Sequence, residues 1–156
     1  MDRGQKIEQP QEEVPIENRS QGRVLGLDVG DRRIGVAVSD ELGLTAQPVL
    51  TLVRKNRRQD LGSLARLVRK YGCAQVVVGN PLYMSGDISP QALKAQAVAQ
   101  SLQQETGVTV TLWDERLSTT EAHRHLDAAG RTGNRRGVID QVAAVMILQS
   151  FLDSRR

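Results

Sequence analysis

The chain is expected to fold as an α/β domain, with a central mixed sheet of five strands and helices on both faces. Three observations carry this expectation. The apolar run from Val24 to Val29 is followed by Ile34, Val36 and Val38 alternating with small residues, which reads as a hairpin. Val76, Val77 and Val78 form a short buried run of parallel type between two helical patterns. The full order is three strands, helix, strand, helix, strand and then helices, so an antiparallel unit is extended by βα units.

Met1 to Gly22 is rich in Gln, Glu, Pro and Arg, with Val14 and Ile16 as isolated apolars. Such a segment cannot bury enough surface to order itself, so residues 1–22 are expected to be a disordered tail and 23–156 the folded domain. Pro48 precedes Val49, Leu50, Leu52 and Val53, a third strand, and suits a strand start or a sheet edge. Arg54, Lys55, Arg57 and Arg58 follow as a basic cluster that either touches phosphates or solvates a helix start. Leu61, Leu64, Ala65 and Val68 have helical spacing, and Gly72 can cap that helix.

After the Val76–Val78 strand comes the loop Gly79-Asn80-Pro81-Leu82. Ser89-Pro90 then supplies an N-cap and a first-turn proline for a helix through Leu93, Ala97, Val98 and Leu102, which stops by Gly107. Val108, Val110 and Leu112 alternate as the fifth strand, with Asp114-Glu115-Arg116 at its end. Ser118-Thr119-Thr120-Glu121 reads as a capping box for a helix ending before Gly130. Arg131 to Gly137 reads as a loop, and Val138 to Leu152 as the last helix. Together this is the ribonuclease H-like pattern.

Composition limits the function. One ordinary domain fits the length. Aromatic residues are only 3% of the chain, so base stacking is not its main binding device. Asp2, Glu8, Glu12, Glu13 and Glu17 outnumber Arg3, Lys6 and Arg19 by two, so a net charge of +3 leaves +5 on the remainder. A basic body suits a polyanion. Cys73 is alone, which rules out a disulfide framework within the chain and fits a reducing compartment. No apolar run reaches membrane length and no signal peptide is visible, so a cytoplasmic location is expected. His123 and His125 are two apart on a helix and do not face each other, so joint metal binding is not expected.

Carboxylates are the candidate chemistry. Asp28 interrupts a buried strand, where a carboxylate is costly unless something answers it. It either caps the Gly30–Arg33 turn or belongs to a metal or phosphate site. Asp114 and Glu115 end a strand expected to run parallel to the first, which puts one of them on the same side of the sheet. Asp140 lies near the start of the last helix, where the dipole favours an ionised carboxylate, and small Ala143 and Ala144 let that helix lie close to the sheet. Three such acids repel unless cations bind between them. Two hard cations about 3.5–4 Å apart would clamp a phosphodiester and activate water.

Several segments resemble the YqgF/RuvX family, Holliday junction resolvases also linked to small-subunit rRNA precursor processing. They are Gly26-Leu27-Asp28-Val29-Gly30 with Ile34 to Asp40 behind it, Val78-Gly79-Asn80-Pro81-Leu82, Asp114-Glu115-Arg116-Leu117-Ser118-Thr119, and Val138-Ile139-Asp140 with Ala143-Ala144 and Ile147-Leu148. The resemblance implies a ribonuclease H-like, metal-dependent nuclease. It places the catalytic and metal-binding acids at Asp28, Glu115 and Asp140, choosing Glu115 over Asp114. Asn80 departs from an apolar position of the family, and Arg136 stands where Lys is common.

The expected function is hydrolysis of phosphodiester bonds in structured nucleic acid, precursor 16S rRNA or branched DNA, with Mg2+ or Mn2+. Arg32, Arg33, Arg116, Arg135 and Arg136 are the expected phosphate contacts. A homodimer is left open. Two other readings compete: a non-catalytic nucleic-acid or ribosome-assembly module on the same fold, and a fragment of an actin- or Hsp70-like ATPase. The second needs two such domains, and this chain has room for one.

Overall fold

The computed structural model describes residues 22–117 and 136–155. Five strands are present: β1 (Val24–Val29), β2 (Arg33–Ser39), β3 (Ala46–Val53), β4 (Gln75–Asn80) and β5 (Thr109–Asp114). They form one sheet in the order β3-β2-β1-β4-β5. β1, β2 and β3 are antiparallel neighbours, while β4 and β5 run parallel to β1. The mixed five-stranded sheet read from the sequence is therefore the one observed. Pro48 lies in edge strand β3, where a missing N–H costs least, beside an irregularity between Val36 and Ala37 of β2.

Three described helices cover the sheet: α1 (Arg57–Lys70), α2 (Pro90–Thr106) and α3 (Arg136–Ser154). Asn56 caps α1, its side chain accepting from the Gln59 amide at 2.9 Å. Beyond its last turn Gly72 takes φ 59°, and the Cys73 amide reaches back to the Val68 carbonyl at 2.9 Å. Ser89 caps α2 with Pro90 just inside, and Gly107, at φ 76°, closes it by donating to the Gln103 carbonyl.

The two faces of the sheet are built differently. On one, Leu25, Leu27, Ile34, Val36, Val76 and Val78 pack against Leu64 and Val68 of α1 and Ala95, Ala99 and Leu102 of α2. The other face presents mainly small residues to α3, whose Ala144, Ile147, Leu148 and Leu152 are buried there with Val24, Ala37 and Val77. A Cβ on Gly26 would stand 2.7 Å from the Leu148 Cβ, and one on Gly35 would stand 1.9 Å from the Asp140 carbonyl oxygen. Helix and sheet therefore meet backbone to backbone, which needs glycine on the strands as well as the small Ala143 and Ala144 on the helix.

The hairpin turn between β1 and β2 is braced from outside. Arg54 donates to the Gly30 carbonyl at 2.9 Å and pairs with Asp60 at 3.2 Å. Asp60 also accepts from the Lys55 amide, at 2.9 Å. One member of the basic cluster is thus an internal clamp. No described helix is long and apolar enough to cross a membrane. The expected tail, the capping box, the helix before Gly130, the loop through Arg135 and both histidines lie outside the described residues.

Two glycine substitutions should separate close approach from helix propensity. Gly35→Ala forces backbone apart and should lower stability by about 3 kcal/mol, the range for overpacking. Gly62→Ala, where an added Cβ meets nothing within 4 Å on α1, should raise it by about 0.5–1 kcal/mol. Urea midpoints of the two variants check both signs.

Candidate active site

Asp28 lies one residue before the end of β1, on the face that α3 covers. It pairs across the sheet with Gly35 of β2. On its other side it lies one residue past the Leu27–Val78 pairing, beside Gly79 of β4. Both flanking positions are therefore glycines, and each leaves room for an acid from elsewhere. Asp140 of α3 stands over Gly35, its own Cβ 3.1 Å from where a glycine Cβ would be. Glu115, which opens a short 3-10 turn (Glu115–Leu117) after β5, lays its carboxylate over Gly79, with Oε2 2.7 Å from the corresponding point. Asp28, Glu115 and Asp140 thus come together across β2, β1 and β4.

The adjacent Asp114 is turned to a different task. Its carboxylate is gripped by Arg116, whose Nε reaches both oxygens at 3.0 Å and whose Nη2 reaches Oδ2 at 2.6 Å. That hydrogen-bonded partner holds Asp114 below the usual carboxylate range. Of the two acids left open by spacing, Glu115 is the one that feels the Asp28 charge.

Burial and like charge act together on the group. Burial, and then the Asp140 carboxylate, push Asp28 up to about 6. Burial, then Asp28 and Asp114, push Glu115 up to about 7. Asp140 is met by a cation, with Arg33 Nε 2.8 Å from its Oδ2. Among the described residues no group of three His, Cys, Asp or Glu side chains is placed to hold a metal ion. Asp28 lies within electrostatic reach of both Asp140 and Glu115, and a guanidinium holds Asp140.

Three readings of the sequence are corrected here. The Gly30–Arg33 turn is closed by its own backbone, Gly30 N donating to Arg33 O at 2.8 Å, and not by the Asp28 carboxylate. Asp140 gains nothing from a helix start: α3 begins at Arg136, two residues earlier than expected, and its first turn holds no acid. The start of α3 is instead fixed by Thr51 of β3, whose hydroxyl donates to the Gly137 carbonyl and accepts from Gln141.

The expected phosphate-binding arginines fall into separate places. Arg33 is on Asp140, and Arg116 is on Asp114 and the Met84 carbonyl. Arg32 is exposed at the turn. Arg135 and the side chain of Arg136 lie outside the described residues. Asn80 accepts from Gln96 of α2 at 3.3 Å, so a polar residue at that position has a local partner. Cys73 is buried with its thiol pushed up to about 11 by burial, the state of an inert structural cysteine. Reading the sequence missed Gly35 and Gly79 as seats for acids. A glycine interrupting an apolar strand was the available signal.

This mixed sheet order, an antiparallel unit extended by two parallel strands with helices on both faces, is that of the ribonuclease H-like fold. A solved structure of T. thermophilus RuvC in complex with a Holliday junction substrate shares the fold, with a TM-score of 0.54 and 16% identity over 86% of this chain and 95% of that one. In sequence, the profile of the RuvX family, described as Holliday junction resolvase, matches residues 22–154. The chain belongs to the RuvX family and is a nuclease, a hydrolase of nucleic-acid phosphodiester bonds. Two similar relatives bear the name "Putative pre-16S rRNA nuclease". One, from Moorella thermoacetica, is 51% identical over 84% of this chain and 94% of its own length. The other, from Syntrophus aciditrophicus, is 47% identical over 85% of this chain and 89% of its own.

The raised carboxyls fix a pH dependence. In the folded state Asp28 and Glu115 bind protons more tightly than in the unfolded chain, where both titrate near 4. Their contribution is therefore most favourable below about pH 4 and is lost as pH rises through about 6 and 7. In chelator, between pH 4.5 and 8, this pair should cost the wild type on the order of 5 kcal/mol. Asp28→Asn should flatten the profile and be the more stable protein at pH 8. Denaturant titrations of both proteins across that window decide it.

Proposed function

We propose that this chain hydrolyses phosphodiester bonds in structured RNA at the small-subunit rRNA precursor, using Mg2+ or Mn2+, with Asp28, Glu115 and Asp140 as its catalytic acids. The observation that carries the reading is the seating of two acids over Gly35 and Gly79 on either side of Asp28, with two of the three held well above their ordinary pKa. Carboxylates pressed together at such a cost suit hard divalent cations, which take oxygen ligands and relieve the repulsion.

Asp28 and Asp140 would hold the ions. Glu115 would hold an ion or orient the attacking water, and a carboxyl near 7 can take up a proton at neutral pH. The ions, once bound, polarise the phosphoryl oxygens and lower the pKa of water. Arg33 shields Asp140 while the site is free of cations. Released from that carboxylate, its guanidinium lies beside the acids, where it can fork onto a phosphate of the substrate.

The choice of rRNA precursor over branched DNA rests on the relatives near 50% identity, whose names specify precursor 16S rRNA. The junction-bound RuvC structure shares the fold at 16% identity. A cleavage assay with both substrates, in Mg2+, in Mn2+ and in chelator, tests the proposal. Cleavage of the precursor that stops in chelator is the expected result, and cleavage of junctions alone would reassign the substrate. Asp28→Asn should stay folded and lose at least about a hundredfold in rate, about 2.7 kcal/mol of transition-state stabilisation. Wild-type turnover by this variant would remove Asp28 from the metal-binding set.

A further inference from the structure

Two adjoining concavities lie beyond the acids, at the turn between β1 and β2 and along the start of α1. One, of about 590 Å3, is lined by Asp31, Arg32, Arg54, Lys55, Arg57 and Lys94, among others. The other, of about 780 Å3, runs between edge strand β3 and α1 and is lined by Lys55, Arg58, Gln59, Ser63 and Arg66, among others. They share Val53, Lys55, Asn56 and Asp60, so together they form one continuous groove.

The groove is basic once its ion pairs are accounted for. Its two acids are already answered, Asp31 by Lys94 and Asp60 by Arg54. Arg32, Lys55, Arg57, Arg58 and Arg66 are exposed, and among the described residues none of them pairs with a carboxylate. The groove begins at the turn that follows Asp28, on the α1 side of the sheet, opposite the face that α3 and Asp140 cover. Arg54, in its wall, holds the carbonyl of Gly30, two residues from Asp28, and Arg32 adjoins the Arg33 that holds Asp140.

We propose that this groove binds the sugar-phosphate backbone of a double-helical arm flanking the bond to be cut, through Lys55, Arg58 and Arg66 as well as Arg32. Five cations along one concave track, paired with no carboxylate among the described residues, suit a polyanion. The choice of a duplex over a single strand rests on the lining. It holds no aromatic side chain, so unpaired bases would find no stacking platform, whereas a paired arm presents only its phosphates and outline. This inference rests on the reading of the chain as a nuclease of structured nucleic acid.

The test uses the full chain in Ca2+ and two labelled RNAs with the same junction, one with an arm of about 16 base pairs and one trimmed to about 5. Anisotropy titrations at several salt concentrations should show the wild type binding the long-armed RNA at least about tenfold tighter. Its log–log salt slope should be steeper by about two to three units, near 0.9 per phosphate contact. Lys55→Gln/Arg58→Gln/Arg66→Gln changes only exposed side chains and should keep the wild-type melting temperature. It should bind the short-armed RNA as the wild type does and lose the advantage of the long arm, while Lys55→Arg/Arg58→Lys/Arg66→Lys should retain it. Wild-type binding indifferent to arm length, or a Gln variant that still prefers the long arm, would overturn the proposal. Failure of the wild type to cleave RNA in Mg2+ or Mn2+ would defeat the catalytic reading separately, because the binding comparison needs no turnover.

Discussion

The rest of the structure depends on how closely α3 lies against β1, β2 and β4. The opposite face is filled by Leu and Val on the strands, which hold α1 and α2 at a side chain's distance. On the α3 face, Gly26, Gly35 and Gly79 remove that spacer, and a Cβ at Gly35 would overlap the helix backbone itself. The closeness has two consequences. It buries Ile147, Leu148 and Leu152 against Val24, Ala37 and Val77, with Trp113 of β5 packed at the side. It also brings a residue of the helix level with the central strand, so Asp140 comes within electrostatic reach of Asp28. Gly79 does the same for Glu115 from the other flank. The glycines that dock the helix are thus also the glycines that make room for the acids.

This arrangement sets stability against function. Acids drawn together in a partly buried place raise one another's affinity for protons, and at neutral pH the fold bears their repulsion. Arg33 relieves part of it. Its own position is set by β2, two residues before Gly35, so the strand that leaves room for Asp140 also carries the cation that answers it. Arg116 plays the corresponding part for Asp114, and in doing so keeps the neighbouring acid out of the central group.

What the sequence made legible was local. The hairpin, the Ser89-Pro90 start of α2, its stop at Gly107 and the edge position of Pro48 all follow from signals within a few residues of one another. The approximate meeting of the acids followed from strand direction, since parallel β1 and β5 end on one side of the sheet. What stayed hidden was non-local. Arg33 and Asp140 are 107 residues apart, and no spacing rule joins them. Asp114 and Glu115 are adjacent, so direction alone could not separate them; the difference lies in which one the Arg116 side chain captures. The start of α3 was placed at Val138 because Gly137 reads as a breaker, yet Gly137 sits inside the first turn, with its carbonyl tied to Thr51 of β3.

The basic character of the chain is likewise a matter of placement. Counted along the sequence, Arg54, Lys55, Arg57 and Arg58 form one run, but the fold divides them. Arg54 is turned inward to hold the turn and Asp60, and Arg57 donates to Ser101 of α2 at 2.7 Å. Lys55 and Arg58 face the groove with Arg66, about two helical turns further along α1. Residues that look alike in composition therefore do different work: one braces the turn that follows β1, and the others pair with no carboxylate among the described residues. Along the groove Asp31 and Asp60 are both paired, so the exposed cations dominate its charge. Under the proposed reading, substrate phosphates would be attracted along the groove and repelled at Asp28, Glu115 and Asp140, and a cation bound there would remove the repulsion.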